Sequence, residues 1–261
     1  MRAPLDASWT LPQRGAGDVL GATRDRLAPC AAGDPWQAYW ETLPFRAALC
    51  RLEADDFVAR FDAVVALQRD WRVLDFGCGF GIITALVARS VREVCAWDAT
   101  PSMRAWAQRN SADCPNVQII DAESDPRLSG DAEPYDLILV NSVIQYMRPP
   151  ERRAWLRRWR ALLAPRGTVV LSDLVSPRHR MWHDVASLWR FYERHGRLTD
   201  ALRQRLGDLR RYRRARRVRR LSSVGREELR RDAAAAGLAV ELLDANLTYR
   251  PHRIAALLRA E

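Results

Sequence analysis

From Arg72 onward, apolar residues come in short runs, each closed by a turn and followed by a segment of helical spacing. The runs Arg72–Asp75, Glu93–Trp97, Val117–Ile120, Leu137–Asn141 and Thr168–Leu171 are short and mostly apolar, as buried strands are. Helical segments fall between them near Ile82–Arg89, Ser102–Asn110 and Pro150–Leu163. Strand and helix in alternation predict an α/β fold, a parallel sheet with helices on both faces. Pro165-Arg166-Gly167 is expected to end the last of these helices and turn the chain into the fifth strand.

The flanks follow other patterns. Residues 1–33 are punctuated by Pro and Gly with little periodicity, which predicts a loosely structured arm. Asp34-Pro35 then reads as a helix start, with Trp36, Tyr39, Trp40 and Leu43 at helical spacing. A second helix is expected over Glu53–Gln68, with Phe57, Val58, Phe61, Val64, Val65 and Leu67 as its apolar positions. After Asp173 the alternation stops. About fifty residues, Leu174 to Ser223, form a helical block carrying Trp182, Leu188, Trp189 and Tyr192, expected to be core more than substrate contacts. A helix over Gly225–Ala236, stopped by Gly237, precedes two strands, Leu238–Leu243 and Arg253–Leu258.

The first strand runs into Asp75-Phe76-Gly77-Cys78-Gly79-Phe80-Gly81 and then a helix. Glycines at alternate positions allow a tight turn and let a ligand approach the backbone. An acid at the strand end repels a pyrophosphate and suits a cationic ligand. Asp98 ends the second strand, where a carboxylate can accept both hydroxyls of a ribose, although capping the helix ahead of Pro101 would also suit it.

Asp75-x-Gly77-x-Gly79-x-Gly81 after a strand resembles motif I of the class I S-adenosylmethionine-dependent methyltransferases. The resemblance implies a Rossmann-like seven-stranded, mostly parallel sheet with an antiparallel last strand, the final strand pair being its closing hairpin. It also implies N-terminal helices, and a helical cap inserted after the fifth strand. The domain reading is then an arm at 1–33, a cofactor-binding core with its N-terminal helices at 34–173, a substrate cap at 174–223, and a helix and strand hairpin completing the core at 224–261.

Residue by residue, the resemblance places Asp75, Gly77, Cys78 and Gly79 on the cofactor and Asp98 on its ribose. Ala99 and Met103 fall on the adenine, Asp121 and Ala122 on its polar edge, and Asn141 beside the sulfonium, after a Tyr135-Asp136 opening that resembles motif IV. Tyr39 and Arg46 match an N-terminal helix that folds over the cofactor; ordinary helix packing explains them equally well. The fourth strand lacks the Asn-Pro-Pro-Tyr or Asp-Pro-Pro-Tyr sequence expected for methylating exocyclic base amines. It also lacks the Pro-Cys of cytosine C5 chemistry.

Composition adjusts this picture. Net charge is +10 and all the basic residues are arginine, a bias that weakens basicity as an argument for nucleic acid. Ten arginines fall between Arg203 and Arg220; the block suits a phosphate backbone, an anionic surface or an acidic substrate, or is simply a solvated helix face. Five cysteines without a Cys-x-x-Cys pair fit reduced thiols and a cytoplasmic setting, and no apolar run has the length of a membrane span. His179 and His183, at i and i+4, are expected to share a helix face; no Glu or third ligand is read as accompanying them, so no metal is expected. They are candidate general bases, with Tyr146 a further one.

The sequence therefore points to methyl transfer from S-adenosylmethionine, leaving S-adenosylhomocysteine, to an oxygen or nitrogen of a small molecule such as a secondary metabolite or lipid-like precursor. An RNA methyltransferase using the arginine block and a non-catalytic binding protein are the alternatives. Nucleic acid is the less favoured partner, and the oligomeric state is left open.

Overall fold

The computed structural model describes residues 35–261 apart from 44, 45, 131 and 219; the arm expected at 1–33 and the capping Asp34 lie outside the described residues. Seven strands form one sheet: β1 (Arg72–Phe76), β2 (Glu93–Trp97), β3 (Val117–Ile119), β4 (Tyr135–Asn141), β5 (Leu163–Leu174), β6 (Leu238–Leu242) and β7 (Ile254–Ala260). Their order is β3-β2-β1-β4-β5-β7-β6, and β7 alone runs antiparallel to its neighbours. This is the Rossmann-like sheet expected from the sequence. The chain winds outward from β1 to β3 and returns to place β4 on the other side of β1. Beyond the C-terminal ends of β1 and β4 lies the crevice where such sheets bind ligands.

The helices are α1 (Pro35–Glu41), α2 (Ala47–Asp62), α3 (Ile82–Ala88), α4 (Pro101–Asn110), α5 (Pro126–Ser129), α6 (Pro149–Leu162), α7 (Met181–Arg194), α8 (Leu198–Val218) and α9 (Arg226–Ala234). Alternation along the central strands sends side chains into two separate cores. Leu74, Phe76, Cys95, Ile138, Val140, Val169 and Leu171 meet Leu156 and Trp159 of α6 and Leu229 of α9. Val73, Val94, Leu137, Leu139 and Val170 meet Phe57 and Phe61 of α2 and Val87 of α3. Both faces of β1 are therefore dry, which is why its sequence after Arg72 is apolar except at Asp75. No helix among the described residues is long and apolar enough to cross a membrane.

Several boundaries differ from the sequence reading. α2 starts at Ala47 and stops at Asp62, not at Gln68: the amides of Val64 and Val65 both donate to Phe61 O, and the turn buries Val65. α6 ends at Leu162 and β5 begins at once, because Leu163 pairs with Tyr135. Pro165-Arg166-Gly167 is thus an irregularity inside a long strand, where a Cβ on Gly167 would lie 2.7 Å from Tyr135 O. The short α5 had a readable signal, Asp125-Pro126; the Asp125 carboxylate accepts from the Arg127 amide. Tyr192 is core, as expected, but Trp182 and Trp189 are exposed, since nothing described packs on that side of α7.

Arg152 of α6 is fully buried (0% exposed) and donates to Glu228 at 2.6 Å and to Asp232 at 2.9 Å, both on α9. Removing the guanidinium strips the buried cation from partly exposed Glu228 and leaves Asp232 only the more distant Arg153, at 3.9 Å. Arg152→Ala is expected to cost about 3 kcal/mol, read from urea unfolding. A loss below about 1 kcal/mol would place this bridge among ordinary surface pairs.

Candidate active site

The glycine turn follows β1 directly. Gly77, Gly79 and Gly81 all have positive φ, at 82°, 53° and 73°. Two of them also have no room for a side chain: a Cβ on Gly77 would fall 2.3 Å from Val143 Cγ2, and one on Gly81 would fall 2.5 Å from Ala107 Cα. Nothing faces Gly79 within 4 Å, so the middle of the turn presents bare backbone. The turn is fastened to the end of β2. Gly77 and Cys78 amides donate to Trp97 O at 2.7 and 3.0 Å, and the Gly79 amide donates to Asp98 Oδ2 at 3.0 Å.

Asp98 is half-buried. Its Oδ1 accepts from the Thr100 amide at 2.8 Å, and Arg104 donates to its backbone oxygen at 2.7 Å. Burial pushes its carboxyl up, against the hydrogen bonds from Thr100 and Gly79. Each carboxylate oxygen keeps a lone pair for a further donor. Asp75, only 5% exposed, accepts a hydrogen bond from Thr84 Oγ1 at 2.6 Å. Burial raises it to about 6, with the Thr84 bond opposing and the negative charge of Asp98 adding to the rise. No protein cation pairs with it among the described contacts. The Cys78 thiol is held protonated by burial and by the same two carboxylates.

At the end of β4, Asn141 Oδ1 is buried and accepts no hydrogen bond. A buried acceptor left unmatched is costly, and a bound ligand is one way of matching it. Met103 is buried on α4, while Ala99, Asp121 and Ala122 are exposed in the loops after β2 and β3. α1 leans on this end through Gln37, which donates to Ala99 O at 3.4 Å, and Glu41, which accepts from the Ser102 amide at 3.5 Å. Tyr39 sits in an aromatic cluster with Trp36, Trp40 and Tyr212, and Tyr146 meets Trp36 and Trp40 in the same cluster. Arg46 is exposed at the start of α2, and no described hydrogen bond or ion pair joins it to the glycine turn.

Sequence reasoning missed what lies on the other side of Asn141. Ser142 and Asp173, at the ends of β4 and β5, both have positive φ (59° and 62°) without being glycine, a strain that collects at sites. Ser142 Oγ donates to Asp173 Oδ2 at 2.7 Å. Asp173 also takes Thr248 Oγ1 at 2.9 Å and Arg250 Nη1 at 3.3 Å. An acid at a strand end was the readable signal; its partners arrive from about seventy-five residues downstream and gave none.

The three candidate bases part company. Burial, then the neighbouring Tyr39, Tyr212 and Asp173, push the Tyr146 hydroxyl well up, which keeps it protonated at neutral pH. His183 lies in the first turn of α7, but His179 precedes the helix by two residues, so the two do not share a helix face as expected; no described hydrogen bond ties either to the glycine turn. They meet His252, which the sequence reading had passed over.

Rossmann-like topology, a glycine turn flanked by two strand-end acids, and an unmatched acceptor at the β4 end define the nucleotide-type site of the class I methyltransferase fold, and these residues fit S-adenosylmethionine. The family described as "Methyltransferase domain" matches residues 39–243, and the chain belongs to it. Among curated relatives, a trans-aconitate 2-methyltransferase from Streptomyces avermitilis is 34% identical over 155 residues, 57% of this chain and 55% of that protein. A malonyl-[acyl-carrier protein] O-methyltransferase from Halalkalibacterium halodurans is 36% identical over 121 residues, 44% of each. The chain spans about half the length of the curated relatives it matches. Among solved structures, a DhpI complex with S-adenosylhomocysteine shares the fold at a TM-score of 0.53 and 17% identity, covering 88% of this chain and 98% of that one. A Leishmania major S-adenosylmethionine-dependent methyltransferase does so at 0.56 and 16%, covering 85% and 79%.

The raised Asp75 has a measurable sign. Its folded-state value, about 6, lies above the ordinary 3.8. The unfolded chain therefore releases this proton at lower pH than the folded one does. Stability is lost as pH rises from about 4 to about 6, by about 3 kcal/mol in total. Asp75→Asn is expected to be more stable than the parent at pH 7.5 by about 2 kcal/mol, with the difference vanishing below pH 4. Equal unfolding free energies at pH 7.5 would show that Asp75 is not held out of water.

Proposed function

We propose that the chain transfers a methyl group from S-adenosylmethionine to a small-molecule acceptor, and that the acceptor atom is a carboxylate oxygen. The observation that carries the first part is the unmatched Asn141 Oδ1 beside a turn whose buried Asp75 pairs with no protein cation among the described contacts. In this reading Asp98 accepts the ribose hydroxyls, and ionised Asp75 complements the ammonium end of the cofactor. Ala99, Met103, Asp121 and Ala122 surround the adenine, Gly77, Cys78 and Gly79 give it backbone, and Tyr39 of α1 closes over it. Arg46 reaches the cofactor carboxylate. The cofactor, when bound, supplies a methyl group already activated by its sulfonium.

What supports the second part is the protonation of the groups near Ser142. Tyr146 stays a donor, and Arg250, which stays charged, belongs to the same electrostatic cluster as Tyr146 and Asp173. Donors and a cation orient an anion, and a carboxylate acceptor needs no base to ionise it. Both curated relatives have acceptors that carry carboxyl groups by name, trans-aconitate and malonyl-[acyl-carrier protein]. Much of the rate then comes from alignment of acceptor and methyl group. α7 and α8 form the cap over the acceptor, and the reaction takes place in the cytoplasm.

Titration calorimetry with S-adenosylhomocysteine tests the cofactor assignment. Binding is expected in the parent, weaker by tenfold or more in Asp98→Ala; no binding to the parent would overturn the reading. A panel of di- and tricarboxylates, phenols and amines tests the acceptor. Arg250→Gln is expected to lower kcat/KM for a carboxylate acceptor by about a hundredfold, the loss of one charge-assisted contact, with affinity for S-adenosylhomocysteine kept. Turnover of phenols or amines alone would overturn the carboxylate assignment.

A further inference from the structure

Three of the four histidines in the chain meet at one place. The rings of His179 and His183 lie 5.3 and 5.2 Å from that of His252, and 6.3 Å from each other. Asp184 stands among them, with Oδ1 2.8 Å from His252 Nε2 and Oδ2 3.2 Å from His179 Nε2. One donor atom from each of His179, Asp184 and His252 lies within 4.8 Å of the other two. Around a tetrahedral ion with bonds of 2.0–2.1 Å, donor atoms sit about 3.3 Å apart. The cluster is already close to that spacing.

We propose that His179, Asp184 and His252 bind a divalent transition-metal ion of the zinc class, with His183 beside the fourth position. The surroundings are those of a ligand set. Ser187 Oγ lies 3.5 Å from His252 Nδ1 and turns Nε2 toward the cage. His183 Nδ1 accepts from the Arg180 amide at 3.3 Å, and its Nε2 has no described partner.

The charges nearby select the kind of ion. Arg253 donates to Asp184 Oδ2 at 2.7 Å, and Arg250 Nε is 3.9 Å from Oδ1. Two guanidinium groups disfavour a hard cation that relies on carboxylate charge, such as magnesium or calcium. Imidazole nitrogens bind zinc, cobalt or nickel well, so that one carboxylate oxygen suffices. Arg253 holds Oδ2 at 2.7 Å and also donates to Oδ1 at 3.3 Å, so a metal taking Oδ1 replaces the longer of the two contacts.

The ligands come from distant parts of the chain. Asp184 lies in the first turn of α7, His179 precedes that helix by two residues, and His252 precedes β7 by two residues. A bound ion staples this helix to the sheet. The staple connects through Arg250 to Asp173 and Ser142, so metal occupancy and the set of the acceptor side are linked.

The test uses the full chain without an affinity tag, stripped with a chelator and titrated with Zn2+ against a chromophoric chelator, and with Co2+ by visible absorption. One equivalent of Zn2+ is expected to bind and to raise the thermal midpoint. His252→Ala and His179→Gln are each expected to bind at least tenfold more weakly, and His195→Ala, outside the cluster, as tightly as the parent. Thermal midpoints without metal check that the variants fold; if His252→Ala does not, His179→Gln decides. No stoichiometric binding, or weakening by His195→Ala equal to that of the cluster variant, would overturn the proposal. Neither readout depends on methyl transfer, so the site stands or falls apart from the proposed activity.

Discussion

The hydrogen bond from the Gly79 amide to Asp98 is the contact on which the site depends. Strand pairing alone sets β1 beside β2 and leaves the turn after β1 undirected. The bond at 3.0 Å, with the two amides held on Trp97 O, fixes the turn against the end of the neighbouring strand. One carboxylate thereby does two jobs. It shapes the backbone that faces a ligand, and it stands at the rim as an acceptor. Positive φ at three glycines is tolerable because no Cβ opposes it, and at two of them the packing would forbid one.

Electrostatics run in opposite senses on the two sides of Asn141. On the turn side, Asp75 and Asp98 are both raised by burial; Asp75 pairs with no protein cation among the described contacts, and Arg104 offsets the rise at Asp98 only in part. On the other side, Asp173 and Asp184 are matched by Arg250 and Arg253. The first side leaves Asp75 without a cation, whereas the second holds its two acids in ion pairs. A protein carrying +10 overall thus keeps a local negative pocket, which net charge could not have revealed.

Most of the fold was legible in the sequence because it is local. Strands of four or five apolar residues, Asp-Pro helix starts and a glycine turn each announce themselves within a few residues. Asp75 and Asp98 could be found for the same reason, since both sit at strand ends in a known order. What escaped was long-range. Arg250, Thr248 and Asn246 reach Asp173 across more than seventy positions, and His252 joins His179 through Asp184. No periodicity marks such meetings. Trp182 and Trp189 failed differently: helical spacing says which residues share a face, but not whether anything covers that face.

The seat of Val143 against Gly77 carries a consequence for how such a chain can change over generations. The valine methyl occupies the space that a side chain at 77 would need, 2.3 Å from where its Cβ would stand. The loop after β4 and the turn after β1 are therefore a knob and a socket. Neither position is free to drift alone. A bulkier residue at 77 requires retreat at 143, and retreat at 143 loosens the loop that holds Ser142 in its strained backbone. Variation in what the chain accepts must then enter elsewhere, through α7, α8 and the segment before β7, where side chains can be exchanged without reshaping the socket.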